Sequence, residues 1–224
     1  DWIREDLFKQ SLPPEEVAAI FVEPIQGEGG YIVTPPEFHQ KLFALAREFG
    51  ILFVADEVQS GMGRTGKMMA IEHWGVVPDI IALAKGIASG MPLGATVSQT
   101  EVMDWVPGSH ASTFGGNPIS CRPALATTEL LEEGLIENAA RLGDYLLVKL
   151  RDLQKRFPMI GDVRGKGLMI GIELVKDRET KKKAIEEKNK VIQGCFEKGL
   201  LILGCGENWV RLCPPLLITQ TEAD

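Results

Sequence analysis

Histidine is scarce in this chain: there are 3, beside 4 cysteines, Cys121, Cys195, Cys205 and Cys213, none of them in a Cys-x-x-Cys pair. That inventory does not suit a zinc site, so no metal is expected and free thiols are the expected state. Positive charge is in deficit too. The 24 Lys and Arg face 31 Asp and Glu, a net charge of −7. This argues against a nucleic-acid partner, whose binding rests on neutralising phosphates, and against an anionic membrane surface. No apolar run approaches the ~20 residues that span a bilayer, and no signal-peptide pattern opens the chain. A cytoplasmic protein is expected. Internal repeats and low-complexity tracts are also missing. What remains is ordinary globular material: 45% hydrophobic and 25% charged residues over 224 positions, enough for one large domain or one domain and part of another.

Along the chain, Asp1 to Glu16 reads as a surface helix and linker ending at Pro13-Pro14. Val17 to Val22 is a continuous apolar run, the pattern of a strand buried on both faces. Pro35-Pro36 starts a helix on which Phe38, Leu42, Leu45 and Phe49 share a face, and Gly50 stops it. Ile51 to Ala55 is the next strand, which makes a strand–helix–strand unit of parallel type. Ile80 to Leu83 and Leu93 to Ser98 read as further strands, and Pro118 starts a long helix with Leu125, Leu130 and Leu131 on its apolar side. A second helix runs from about Asn138 to Phe157, with Leu142, Leu146, Leu150, Leu153 and Phe157 on one face. Asp162 to Gly167 reads as a turn and Leu168 to Leu174 as a strand. The charged stretch from Val175 to Lys190 reads as solvated loop and helix start. Val191 to Gly199 continues the helix, and Leu200 to Leu203 and Trp209 to Cys213 read as strands. Helices with a small sheet after a parallel sheet predict a second, smaller domain.

The chemistry concentrates between Ile51 and Lys85. Asp56-Glu57 leaves the end of one strand, and Lys85 leaves the end of another. A parallel sheet presents its site at the carboxyl ends of its strands. A lysine there can form a Schiff base with an aldehyde cofactor, and a carboxylate can hold the proton on a pyridine nitrogen. That pair is what a pyridoxal phosphate site needs. Taken singly, Asp56 is equally a helix N-cap and Lys85 a solvated loop lysine. The loop between them offers a different match, Gly61-x-x-x-x-Gly66-Lys67. A phosphate-binding loop of that kind needs Ser or Thr next and opens a helix directly after a strand; here Met68 follows and residues 56–60 intervene. Arg211 sits in an otherwise apolar strand, where it requires an anion: a substrate carboxylate or a structural ion pair.

The residues around this pair resemble a known family. Phe53 to Gly66, FVADEVQSGMGRTG, is similar to the signature of the class III, ornithine/4-aminobutyrate-type aminotransferases. Glu23 to Gly30 (EPIQGEGG), Ser112 to Pro118 (STFGGNP), Arg164 to Leu168 (RGKGL) and Val210 to Pro215 (VRLCPP) resemble further blocks of that family, in family order. The resemblance implies an α/β chain of the PLP-dependent transferase fold type I. Residues 1–124 would be the C-terminal portion of a mainly parallel-sheet large domain, and 125–224 a truncated α+β small domain. It also implies that roughly the first third of the family's chain and its last helix lie outside this sequence.

The resemblance carries roles residue by residue. Lys85 forms the internal aldimine with pyridoxal 5'-phosphate and, once displaced by substrate, shuttles the proton at the reacting carbon. Asp56 faces the pyridine nitrogen, Gln59 bonds the phenolic oxygen, and Val58 packs on the ring, or is plain core as well. Thr113 reaches across a homodimer to the partner's cofactor phosphate, with Ser112 adding a donor; both equally suit an ordinary polar turn. Arg211 grips a substrate carboxylate, and Glu28 pairs with it when none is bound. The implied reaction is ping-pong transamination of an ω-amino or basic donor of the 4-aminobutyrate type with a 2-oxo acid such as 2-oxoglutarate. Gln59 and the Glu28–Arg211 pair favour that branch. A racemase or epimerase on the same fold would share Lys85, Asp56 and Gln59. A third reading is a non-catalytic piece, because the family's phosphate cradle and ring-stacking aromatic are not in this chain. The isolated 224 residues are then expected to bind cofactor weakly and turn over little. Arg64, Glu23 and Gln26 match the blocks without an assigned role.

Overall fold

The computed structural model describes residues 2–224. A wide-turned π-type helix, Ile3–Ser11, opens it, with Phe8 buried edge-on against Phe49 at 5.1 Å. Then come β1 (Ala19–Val22), the two short strands β2 (Ile25–Gln26) and β3 (Ile32–Val33), α1 (Phe38–Glu48) and β4 (Leu52–Asp56). Gly50, at φ +67°, turns α1 into β4, a backbone geometry that glycine adopts without a Cβ penalty. A glycine-rich loop leads to a 3₁₀ turn at Ala70–Trp74, then β5 (Ile80–Leu83), a short turn at Lys85–Ala88, and β6 (Ala95–Ser98).

These strands form one sheet in the order β1-β4-β5-β6. β1, β4 and β5 run parallel and β6 is antiparallel. The register sets Asp56 opposite Ala82, so the ends of β4 and β5 open on the same edge. Ile51, Phe53, Val54 and Ala55 are almost fully buried, as a central parallel strand should be. The expectation of burial on both faces fails for β1, where Phe21 is 74% exposed. Among the described residues β1 is the edge strand of this sheet.

The second half starts with α2 (Pro118–Leu130), capped by the Asn117 side chain on the Ile119 N–H at 2.9 Å. Proline in the first turn and an Asn cap are what start a helix. Of its three leucines expected on the apolar side, only Leu131 is buried; Leu125 and Leu130 are exposed. A kink at Gly134 passes the chain into α3 (Ile136–Arg156). Leu142 and Leu150 of its leucine row are buried, Leu146 and Leu153 pack at the margin, and Phe157 is exposed. After β7 (Ile160–Lys166), β8 (Met169–Asp177), β9 (Lys182–Lys183), α4 (Ile185–Glu197), β10 (Leu203–Cys205) and β11 (Trp209–Leu212) comes a one-turn α5 (Gln220–Ala223).

The second sheet is antiparallel, in the order β10-β11-β8-β7, with β9 pairing with β8. The segment 162–167, expected as a turn, is for the most part strand β7. Its glycines do not break it. A Cβ at Gly165 would stand 2.3 Å from the Met169 carbonyl oxygen, so glycine lets the two strands close up. α4 begins at Ile185, inside the charged stretch where a helix start was expected; the strand expected at 200–203 lies at Leu203–Cys205, leaving Leu200 and Leu201 exposed.

The two sheets share one core: Tyr31, Phe53, Trp74, Met169 and Trp209 belong to the same buried cluster. Gly167, at φ +53°, presses against the glycine loop, where a Cβ would lie 2.4 Å from the Thr65 carbonyl carbon. Among the described residues, no helix is long and apolar enough to cross a membrane.

Candidate active site

β4 ends at Asp56, whose half-buried carboxylate accepts the Val58 N–H at 3.0 Å. That bond turns the chain sharply and sends Val58 and Gln59 back over the strand ends. The next acid, Glu57, faces inward and is buried. Its carboxylate accepts Ser60 Oγ at 2.6 Å and the Ile71 N–H at 2.7 Å, and burial pushes its pKa above the usual carboxylate value. Glu57 therefore braces the loop from inside, while Asp56 stays at the strand end.

β5 delivers Lys85 with the backbone in the left-handed region, φ +47°. A non-glycine residue pays a steric penalty there, and such strain concentrates at functional sites. Lys85 Nζ donates to Gln59 Oε1 at 3.1 Å. The Gln59 amide lies flat on Gly27, where a Cβ would stand 2.4 Å from Oε1, so two of the sequence blocks interlock at this glycine. Gln59 Nε2 in turn donates to the Tyr31 hydroxyl at 3.3 Å. On the opposite wall Arg211, on β11, is ion-paired with Glu28; the Arg211 side chain is 17% exposed and that of Glu28 73%. Glu28, Tyr31, Val58, Gln59, Lys85 and Arg211 line one cavity of about 690 Å³. A groove of similar size between the N-terminal helix and α1, about 660 Å³, contains none of these groups.

The structure thus brings together Lys85, Gln59, Val58, Arg211 and Glu28. Asp56 stands at the neighbouring strand end but does not line the cavity. Ser112 and Thr113 lie on an exposed loop away from it, Ser112 Oγ accepting the Gly115 N–H at 3.0 Å. Two participants were not identified from sequence. Tyr31 follows a glycine pair and carries no pattern of its own. Arg64 matched a block without a role; its guanidinium donates to the carbonyls of Leu168 (3.3 Å) and Pro214 (2.5 Å), tying the glycine loop to the second sheet.

A parallel-cored α/β sheet with a lysine at a strand end, flanked by a small antiparallel sheet, is the architecture of the fold type I transferases. An amine transaminase from an uncultivated Pseudomonas species, solved in its PLP-bound internal aldimine form, superposes with a TM-score of 0.91 at 38% identity, over 98% of this chain and 52% of that one. The chain belongs to the class III aminotransferase family, whose profile matches residues 4–224. It is 46% identical to a leucine/methionine racemase of Thermococcus litoralis, over 97% of this chain and 49% of the relative. It is 44% identical to the 4-aminobutyrate aminotransferase GabT of Escherichia coli, over 96% of this chain and 52% of the relative. The chain therefore spans about half the length of the curated relatives it matches.

Proposed function

We propose that the whole protein is a PLP-dependent aminotransferase that moves the amino group of an ω-amino or basic amino acid to a 2-oxo acid such as 2-oxoglutarate. The observation that carries this reading is the Glu28–Arg211 pair across one cavity from Lys85. The residues present fit pyridoxal phosphate: a primary amine on a strained strand end, a carboxylate on the adjacent strand end, an amide and an apolar Val58 between them. When bound, that group supplies an electron sink for the carbon that loses its proton.

The chain's own residues then divide the work. Lys85 Nζ holds the cofactor and takes and returns the proton at the substrate's reacting carbon. With the cofactor bound, Asp56 would hold the proton on its ring nitrogen and Gln59 would orient its ring oxygen. Arg211 grips a carboxylate with its two-pronged guanidinium. Glu28 is its exposed counter-ion, and an exposed ion pair stabilises by only about 0–1 kcal/mol. Glu28 can therefore leave when a substrate carboxylate arrives and return for a donor that has none at that position. Thr113 and Ser112 serve the site of a second copy in a homodimer.

A second reading, racemisation or epimerisation, is favoured by the 46% identity to a racemase, and it uses the same Lys85, Asp56 and Gln59. The deciding experiment is an absorption spectrum of the whole protein and of Lys85→Ala, before and after adding 4-aminobutyrate. Loss of a lysine-dependent visible band on adding 4-aminobutyrate, and its recovery with 2-oxoglutarate, supports transamination. A band perturbed only by α-amino acids, with no net amine transfer, moves the assignment to a racemase. A band identical in Lys85→Ala refutes both.

A further inference from the structure

Tyr31 is out of place by local rules. It is a bulky non-glycine residue at φ +49°, 1% exposed, and its hydroxyl still reaches the cavity. Three features hold it there. Arg164 Nε donates to the Tyr31 carbonyl at 3.0 Å and Nη2 to the Gly30 carbonyl at 3.1 Å. The same guanidinium lies over the Trp209 ring, 3.6 Å from its centroid. Below, Gly171 leaves room: a Cβ there would stand 3.0 Å from Tyr31 Cβ. The segments around Gly30, Arg164 and Trp209 thus converge at one residue whose side chain hydrogen-bonds neither Lys85 nor Arg211.

What it does contact is Gln59. The Gln59 amide can turn either end toward Lys85. An ammonium only donates, so Lys85 requires the oxygen, and the NH2 must then find an acceptor on the far side. The Tyr31 hydroxyl is that acceptor. Without it the NH2 loses the acceptor it has, and an amide with one end unpaired is free to swing or flip.

We propose that Tyr31 is a positioning residue of this site: its hydroxyl fixes the Gln59 amide from behind, so that Oε1 stays aimed at Lys85 Nζ. The inference deepens the transaminase reading, since the role matters for catalysis only if Gln59 and Lys85 act on a common ligand. Burial, and the Cys213 thiol that the phenol also bonds, push the Tyr31 pKa up to about 12 against the pull of Gln59 and Arg211. The hydroxyl therefore stays neutral, and it can serve as acceptor throughout the working pH range.

The test compares wild type, Tyr31→Phe, Gln59→Ala and the double variant in the whole protein loaded with pyridoxal phosphate. Phenylalanine keeps the buried ring, and an unchanged Tm checks that it does. The readout is the pH midpoint of the lysine-dependent visible band. Tyr31→Phe should move it by roughly 0.4–1 pH unit, the size of one hydrogen bond. In the Gln59→Ala background the same change should move it by less than about 0.2 unit, because the two act through one contact. No shift in wild type, or equal shifts in both backgrounds, overturns the proposal. A second measurement needs no cofactor: a crystal structure of unloaded Tyr31→Phe. Gln59 Oε1 displaced from Lys85 Nζ by about 1 Å or more, or the amide reversed, supports the role; an unmoved amide refutes it. If wild type shows no lysine-dependent band, the transaminase reading fails, and the Gln59 position alone then decides this inference.

Discussion

Asp79 is the residue whose loss should most clearly separate fold from chemistry. It is 3% exposed and stands just before β5. Its Oδ2 accepts the Phe53 N–H on β4 at 2.7 Å, and its Oδ1 accepts Arg47 Nη2 on α1 at 2.7 Å. Its own N–H donates to the Phe53 carbonyl at 2.9 Å. One carboxylate thus ties together the helix and the two strands whose far ends present Asp56 and Lys85. Asp79→Ala strands the Phe53 N–H inside the core, at a cost of about 1–3 kcal/mol. It also releases Arg47, which is 47% exposed and is re-hydrated, so that this loss adds no more than about 1 kcal/mol. The sum is about 1–4 kcal/mol. Asp79→Asn keeps one acceptor for two donors and should cost roughly half of that. In urea unfolding of the whole protein followed by tryptophan fluorescence, a loss of 3 kcal/mol lowers the midpoint by about 1 M or more. The pyridoxal-type absorption of whatever remains folded should be unchanged. An alanine variant within about 0.5 kcal/mol of wild type, or an asparagine variant as damaged as the alanine one, would refute this account of the β4–β5 tie.

Two further predictions concern pH and specificity. Burial lowers the pKa of His39, and burial together with Lys166 lowers that of His73, below the ordinary 6.5. The unfolded chain then binds protons more readily than the folded one, so stability is full above about pH 6.5 and is lost as pH falls. Glu57, pushed up by burial, works in the opposite sense nearer its own titration, so the comparison must be variant against wild type. His39→Gln, which can still donate to the Pro24 carbonyl that His39 Nε2 contacts at 3.0 Å, should flatten the slope of urea midpoint against pH between about 5 and 6.5; an unchanged slope counts against it. Glu28→Gln should alter stability by no more than about 1 kcal/mol, given its exposure. It should raise kcat/KM for α-amino acids relative to ω-amino donors, because Arg211 is left without its counter-ion; an unchanged ratio removes Glu28 from the specificity device.

The sequence by itself determined the elements whose signal is local. Apolar runs made β4 and β5, proline and glycine bounded α1, and the leucine row made α3. The acid and the lysine at the strand ends were legible because a parallel sheet always opens its site there. The glycine loop departs from a phosphate-binding loop in sequence at Met68 and in the residues 57–60 that separate it from β4. Exposure was not legible. Phe21 looks buried in a sequence that cannot say β1 lies at an edge, and Leu125 and Leu130 look like core on a helix whose neighbours are unknown. The misread β7 has the same origin. A glycine reads as a turn signal when its reason, a backbone 2.3 Å from where a Cβ would stand, lies on another strand. Tertiary structure alone decided that Gly27 underlies Gln59, that Arg64 ties a loop to Pro214, and that Tyr31 stands behind the amide facing Lys85. Those contacts join residues that are 28 to 150 positions apart. No periodicity encodes such a pairing; it exists only once two sheets have closed on a common core.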